Sequence, residues 1–340
     1  MTQFIVFGAG AIGCYVGGRL AAAGQRVTLV ARERTALAIS RDGLEVSDLD
    51  GFRARIPAKQ LGLTTALPKL PSGEDCVVLL CVKGGATLQA ATELSAVCAP
   101  GTPVLSLQNG VDNPQRITRA APALCALAGM VPYNVVMSKP AASHRASTGS
   151  IQLQRHEITE HIAPIFVATG LDCVVATDML KVQWGKLLLN LNNPVNALSD
   201  LPLREQLGDR DFRRVLAALQ TEALQAMKAA GVVPAQLGSA APGLLPHVLR
   251  LPNWLFERVA KRMLRIDPSA RSSMWDDVQS GRVTEIDDLC GAVVRLGAQT
   301  RTPTPCNVKM LELMTDWRKG QRMSGAQLLN ALAAKTPTKV

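Results

Sequence analysis

The chain has 340 residues, 47% of them apolar and 19% charged. That is a globular composition, which excludes a disordered chain and allows about two domains of ~150 residues. The net charge is +10, from 37 basic against 27 acidic residues. The basic residues lack the aromatic interleaving of a base-stacking surface, so no nucleic-acid partner is expected.

Apolar runs such as Val77 to Val82 fall far short of the roughly 20 residues that cross a bilayer, so no membrane partner is expected either. Met1-Thr2-Gln3-Phe4 has no basic n-region, and no signal peptide is expected. The eight cysteines form no Cys-x-x-Cys pair and do not cluster with the four histidines. Neither a disulfide framework nor a metal site is expected, and reduced cysteines suit a cytoplasmic protein.

In chain order, Phe4-Ile5-Val6-Phe7 reads as a buried strand that runs into Gly8-Ala9-Gly10-Ala11-Ile12-Gly13. A helix follows through Leu20-Ala21-Ala22-Ala23 and stops at Gly24, and Arg26 to Val30 reads as a second strand. Cys76 to Val82 and Pro103 to Leu107 read as two more, with a helical interval between them. Strands alternating with helices predict a doubly wound α/β domain of Rossmann type.

The Gly-x-Gly-x-x-Gly spacing sits in the strand–turn–helix context that gives it meaning. Gly8 permits the tight turn, Gly10 lets a pyrophosphate approach the backbone, and Gly13 allows close helix–strand packing. Nineteen positions after Gly13, where an acidic residue would bind the ribose of NAD, stands Arg32, with Arg34 close by. A guanidinium binds a 2′-phosphate, so NADP(H) is the expected cofactor. Glu33 is read as facing the opposite side, by strand alternation.

The second half reads as helical. Thr177-Asp178 start a leucine-rich helix drawn through to Asn193-Pro194. On it Lys186, Asn190 and Asn193 are spaced by four and three, one narrow polar stripe. Such a stripe calls for a polar counterpart, or for a lysine that snorkels to solvent. An amphipathic helix from Phe212 to Gly231 follows, and Pro234 to Pro252 reads as loop. The chain turns helical again at Ser272-Ser273, Ser280-Gly281 offer a stop, and Thr284 is placed as the N-cap of a helix beginning at Glu285. On one straight helix Ser273 and Glu285 would lie about 18 Å apart; the break lets both face one cleft.

Taken together, Gly8 to Gly13 with Arg32, Val82-Lys83-Gly84, Gln108-Asn109-Gly110, Trp184-Gly185-Lys186-Leu187 with Asn190, Ser272-Ser273-Met274 and Thr284-Glu285-Ile286-Asp287 resemble the ketopantoate reductase family, the NADPH-dependent 2-dehydropantoate 2-reductases. The resemblance implies an NADP-binding Rossmann-type domain over residues 1–177 and an all-α substrate domain over residues 178–335. It implies reduction of ketopantoate to pantoate, a step toward pantothenate and coenzyme A, with Lys186 as general acid assisted by Glu285. It implies Gly8, Ala9, Gly10, Ala11, Ile12, Gly13, Arg32, Lys83 and Asn109 at the cofactor, and Asn109, Asn190, Asn193 and Ser273 at the keto-acid. Asn193 is the candidate for a family asparagine displaced here by one position. The implied partner is a small 2-keto acid, a homodimer is compatible, and no metal is needed. Two rival readings are a reductase of a different 2-keto acid and a non-enzymatic NADP(H) sensor. The stretch 234–271, longer and more basic than in compact members, is expected to reshape the substrate pocket.

Overall fold

The computed structural model describes residues 2–70, 76–238, 240–261 and 269–334. The chain divides into two compact units, one up to Met179 and one from Leu180 onward.

The first unit runs β1 (Gln3–Phe7), α1 (Ala11–Ala22), β2 (Arg26–Val30), α2 (Glu33–Asp42), β3 (Leu44–Asp48), β4 (Arg53–Ile56), β5 (Gly62–Thr64), β6 (Cys76–Leu80), α3 (Thr87–Val97), β7 (Pro103–Ser106), α4 (Asn113–Ala120), β8 (Cys125–Met130), β9 (Val135–Lys139), β10 (Ala142–Arg145), β11 (Ile151–Gln154), α5 (Glu157–Ala168) and β12 (Cys173–Ala176). The main sheet has the order β12-β11-β8-β7-β6-β1-β2-β5, parallel except where β11 pairs antiparallel with β8. Its central strand β6 is buried at all five residues, as expected of an apolar run covered by helices on both faces. From β1 the chain passes first to β2 on one side and later to β6 on the other. The crevice of the sheet therefore opens between the ends of β1 and β6, where ligands of such sheets bind.

A second sheet, β4-β3-β10-β9, is absent from the sequence reading. It packs on α1, and a buried ion cluster ties it there. Arg19 Nη1 of α1 donates to Asp48 Oδ2 of β3 (2.7 Å), and Arg145 Nε of β10 donates to the Tyr15 hydroxyl (2.9 Å). Arg19 also donates to the Thr169 carbonyl beyond α5 (2.9 Å), so none of the desolvated charges is left alone.

The second unit is helical throughout its described residues: α6 (Met179–Asn190), α7 (Asn192–Ser199), α8 (Leu203–Gly208), α9 (Arg210–Ala229), α10 (Leu245–Leu249), α11 (Asn253–Val259), α12 (Ser273–Gln279), a π-helical turn over Asp287–Gly291, α13 (Ala292–Thr300), α14 (Pro305–Thr315) and α15 (Gly325–Ala333). The amphipathic α9 is its hub, touching α10, α13 and α15. Glu222 of α9 caps α14, accepting the backbone N–H groups of Cys306 (2.7 Å) and Asn307 (2.9 Å).

One sequence reading is corrected here. The segment 234–252 is not all loop: a 3₁₀ turn over Pro242–Leu244 and then α10 lie within it. Pro246 sits in the first turn of α10, where its missing N–H does no harm. Part of the basic stretch, residues 262–268, lies outside the described residues. Among the described residues no helix is long and apolar enough to cross a membrane.

Candidate active site

The glycine turn after β1 is held by backbone bonds. The N–H groups of Gly8 and Ala9 both donate to the Val30 carbonyl (3.2 Å), and that of Gly10 donates to the Gly8 carbonyl (2.8 Å). Gly8 has φ +107°, and a Cβ there would lie 2.7 Å from Val82 N. At Gly13 a Cβ would run into the Gly8 carbonyl oxygen. Both glycines are thus demanded by the protein's own packing. Gly10 is different: its φ is −84°, and a Cβ there would meet nothing within 4 Å. It leaves open space at the N-terminus of α1, where no side chain caps the helix. The first N–H groups of α1, at Ala11, Ile12 and Gly13, have no intrahelical acceptor by geometry, and with the helix dipole they favour an anion. The turn therefore fits the pyrophosphate of a dinucleotide.

Strand β2 ends at Val30, and Arg32 is the N-cap of α2, its carbonyl accepting the N–H groups of Thr35 and Ala36 (2.9 Å each). The Arg32 and Arg34 side chains are exposed, two guanidinium groups beside a helix N-terminus. The separation of Glu33 by strand alternation does not hold. Glu33 opens α2 rather than extending β2, so one carboxylate shares the first turn with the two arginines.

Lys83 is exposed and precedes the 3₁₀ turn Gly84–Ala86. Asn109 stands on the loop after β7, and its carbonyl accepts Asn113 Nδ2 (2.7 Å). Both loops leave the same sheet edge as the glycine turn.

In the second unit Lys186 lies on α6, half-buried. Burial lowers its pKa from the usual 10.5 to about 8, because a desolvated ammonium is disfavoured. The neighbouring Gly185 has its own reason: a Cβ would strike the Ala235 carbonyl oxygen, where the chain after α9 crosses α6 and Ala235 N donates to the Lys181 carbonyl (2.8 Å).

The single helix drawn through Asn193 is corrected to two. Pro194 cannot bond to the Asn190 carbonyl, and its ring crowds that carbonyl, so α6 ends at the buried Asn190 and α7 restarts at Asn192. The stripe thus stops at Asn190, and Asn193 belongs to the first turn of α7. There its carbonyl accepts the Ser272 hydroxyl (3.2 Å), while Asn196 Oδ1 accepts the Ser272 N–H (2.8 Å). Ser272 in turn caps α12 through Trp275 N (3.2 Å), which fixes Ser273 as the first residue of α12. The structure so ties the Asn193 backbone to Ser272, the residue just before Ser273.

Helix α12 ends before Ser280, with Gly281 at φ +64°, and the chain breaks where the sequence suggests. The next helix does not begin at Glu285 with Thr284 as its cap. Glu285 is buried in the preceding bend, and its carbonyl accepts the N–H groups of Asp288 (3.1 Å) and Leu289 (3.2 Å) as the π-helical turn starts. Among the described residues no group of three or more His, Cys, Asp or Glu could hold a metal ion.

A glycine turn at the switch point of a parallel sheet marks the class of dinucleotide-binding α/β enzymes. Within that class, a family model described as ketopantoate reductase PanE/ApbA matches residues 4–157, and its C-terminal counterpart matches residues 178–317. The chain belongs to the ketopantoate reductase PanE/ApbA family of oxidoreductases. It is 28% identical over 299 residues to the 2-dehydropantoate 2-reductase of Halobacterium salinarum, covering 86% of this chain and 91% of that protein. Among solved structures, a PanE/ApbA family ketopantoate reductase from Ralstonia eutropha JMP134 aligns with a TM-score of 0.78 at 28% identity, over 93% of this chain and 97% of that one. A D-mandelate dehydrogenase solved with NADH and anilino(oxo)acetate has the same fold, with a TM-score of 0.75 at 18% identity over 98% and 100% of the two chains.

Proposed function

We propose that this chain uses NADPH to reduce 2-dehydropantoate (ketopantoate) to pantoate, with Lys186 as proton donor. The observation that carries the reading is Lys186 itself: a half-buried lysine on a leucine-rich helix, its pKa drawn down to about 8. Such a group stays mostly protonated at neutral pH yet gives up its proton readily. NADPH, when bound, supplies the hydride.

The chain's own residues do the rest. The turn from Gly8 to Gly13 and the N-terminus of α1 hold the pyrophosphate, while Arg32 and Arg34 take the 2′-phosphate. Asn190, Asn193 and Ser273 orient the keto-acid, and Lys83 and Asn109 flank cofactor and substrate. As negative charge builds on the carbonyl oxygen, the Lys186 ammonium stabilises it and then donates its proton from Nζ. Glu285 assists Lys186 and helps to hold the substrate. Burial raises the pKa of the Cys14 and Cys173 thiols to about 12 and keeps them protonated and unreactive.

Ketopantoate is favoured by the names of the curated relatives that align over most of their length. A different 2-keto acid is the second reading, because a D-mandelate dehydrogenase solved with NADH and anilino(oxo)acetate shares this fold. A proton donor argues against a mere sensor. A panel of 2-keto acids followed by NADPH absorbance decides. The highest kcat/KM is expected for ketopantoate, and reduction of an aryl keto-acid with ketopantoate inert would overturn that assignment.

A further inference from the structure

The loops that carry Lys83 and Asn109 are joined by a chain of buried hydrogen bonds. It starts at the end of β7, where the Ser106 hydroxyl donates to Gln108 Oε1 (2.9 Å). Gln108 Nε2 donates to the Val82 carbonyl (3.0 Å) and to Thr87 Oγ1 (2.7 Å). The Thr87 hydroxyl donates to Asn113 Oδ1 (2.9 Å), and Asn113 Nδ2 donates to the Asn109 carbonyl (2.7 Å).

The polarity of this chain is fixed at both ends. The carbonyls of Val82 and Asn109 can only accept, so both amides must aim their nitrogens at them. That leaves Gln108 Oε1 and Asn113 Oδ1 as acceptors and gives each hydroxyl one direction. Thr87 is 0% exposed and Asn113 1%, so water does not compete for these bonds, and each polarises the next. Thr87 opens α3, four residues after Lys83, and both its bonds reach across to the Asn109 segment: it takes one from Gln108 just before Asn109 and passes one to Asn113 just after it. Through Val82, whose N–H lies against Gly8, the chain also reaches the glycine turn.

We infer that Thr87 is a positioning residue: its hydroxyl sets the register between the Val82–Lys83 and Asn109–Gly110 segments, and so aims Lys83 and Asn109. The inference rests on the reading that these two residues flank cofactor and substrate.

Thr87→Val keeps the shape and removes the hydroxyl. With the fold retained, it should lower kcat for ketopantoate about tenfold or more, equivalent to ~1.4 kcal/mol. It should also speed amide hydrogen exchange in residues 82–87 and 108–113 of the cofactor-free protein. Thr87→Ser, which restores the hydroxyl, should recover both readouts to within about threefold. In an Asn109→Ala background Thr87→Val should cost clearly less than it does in the parent, since one of the two side chains being aimed is already gone. Unchanged kcat and exchange in Thr87→Val, or losses that multiply in the double variant, would overturn the inference. Should Thr87→Val not fold, Ser106→Ala, which cuts only the first link, is expected to lose about threefold in kcat with faster exchange; unchanged values would overturn it equally. Failure of the unmodified protein to bind NADPH would instead sink the functional reading. The exchange measurement needs no cofactor and judges the loop register separately.

Discussion

Replacing Lys186 with methionine sets function against stability. Met keeps the length and apolar stem of the side chain and removes the ammonium. Below pH 8 the lysine is charged in both the folded and the unfolded chain, and the full burial penalty applies. A shift from 10.5 to about 8 makes that penalty about 3 kcal/mol, at ~1.36 kcal/mol per pKa unit. The figure is a ceiling, because a half-buried ammonium keeps some water and its partners lose a donor in the variant. Between pH 8 and 10.5 the folded lysine sheds its proton while the unfolded one keeps it, so the penalty fades as pH rises. Lys186→Met should therefore be more stable than the parent at pH 7, by up to this amount, with the gap closing toward pH 10.5. Its turnover should fall by two to four orders of magnitude, roughly the contribution of a general acid, with NADPH affinity nearly unchanged. Urea unfolding at several pH values and steady-state turnover on one preparation read all three. A variant less stable at every pH, yet still reducing keto-acid, would make Lys186 a packing residue and refute the reasoning.

Four further outcomes follow from the same geometry. In the parent enzyme kcat should hold steady below about pH 8 and fall roughly tenfold per pH unit above it, as the ammonium of Lys186 is lost; a flat profile to pH 10 would contradict this. NADPH should bind at least about tenfold more tightly than NADH, a gap of ~1.4 kcal/mol, and Arg32→Asp should narrow or reverse it in fluorescence titrations. Gly10→Ala should unfold within about 0.5 kcal/mol of the parent while losing nucleotide affinity, whereas Gly13→Ala should lose roughly 1–3 kcal/mol of stability as its Cβ meets the Gly8 carbonyl. Glu222→Gln should cost about 2 kcal/mol in denaturant unfolding, because an amide nitrogen would then face the N–H donors at the start of α14.

The β1–α1–β2 unit is legible because its signals are local: an apolar run, a glycine turn and a C-terminal glycine follow one another within 30 residues. The break after α12 is legible for the same reason, from Ser280-Gly281. The second sheet is not. Its strands are short and carry charges, and β3 finds β10 about a hundred residues away, with Glu45 paired to Ala142. What fixes it is the burial of Arg19, Asp48 and Arg145 together, and single-residue polarity misreads that as surface. The split between α6 and α7 is legible in Pro194, four residues after Asn190, although the spacing of Lys186, Asn190 and Asn193 on its own points to one continuous helix face. The role of Thr87 has no sequence signature, since a threonine opening a helix is ordinary and its partners, Gln108 and Asn113, lie more than twenty residues further along the chain.

Helix α1 is thin on two sides at once. A Cβ at Gly17 would lie 2.9 Å from Leu29 Cδ2 and 3.0 Å from Val6 Cγ2 of the main sheet, and one at Gly18 would run into Val46 Cγ2 of the second sheet. The helix is a strut clamped between two plates, with Arg19 bolting it to Asp48 and to the Thr169 carbonyl. Its open end at Gly10 is consequently a stiff anion receptor set before any ligand arrives. Little ordering entropy is then left to be lost at the phosphate end on binding, and affinity there depends on the fit of an already rigid surface.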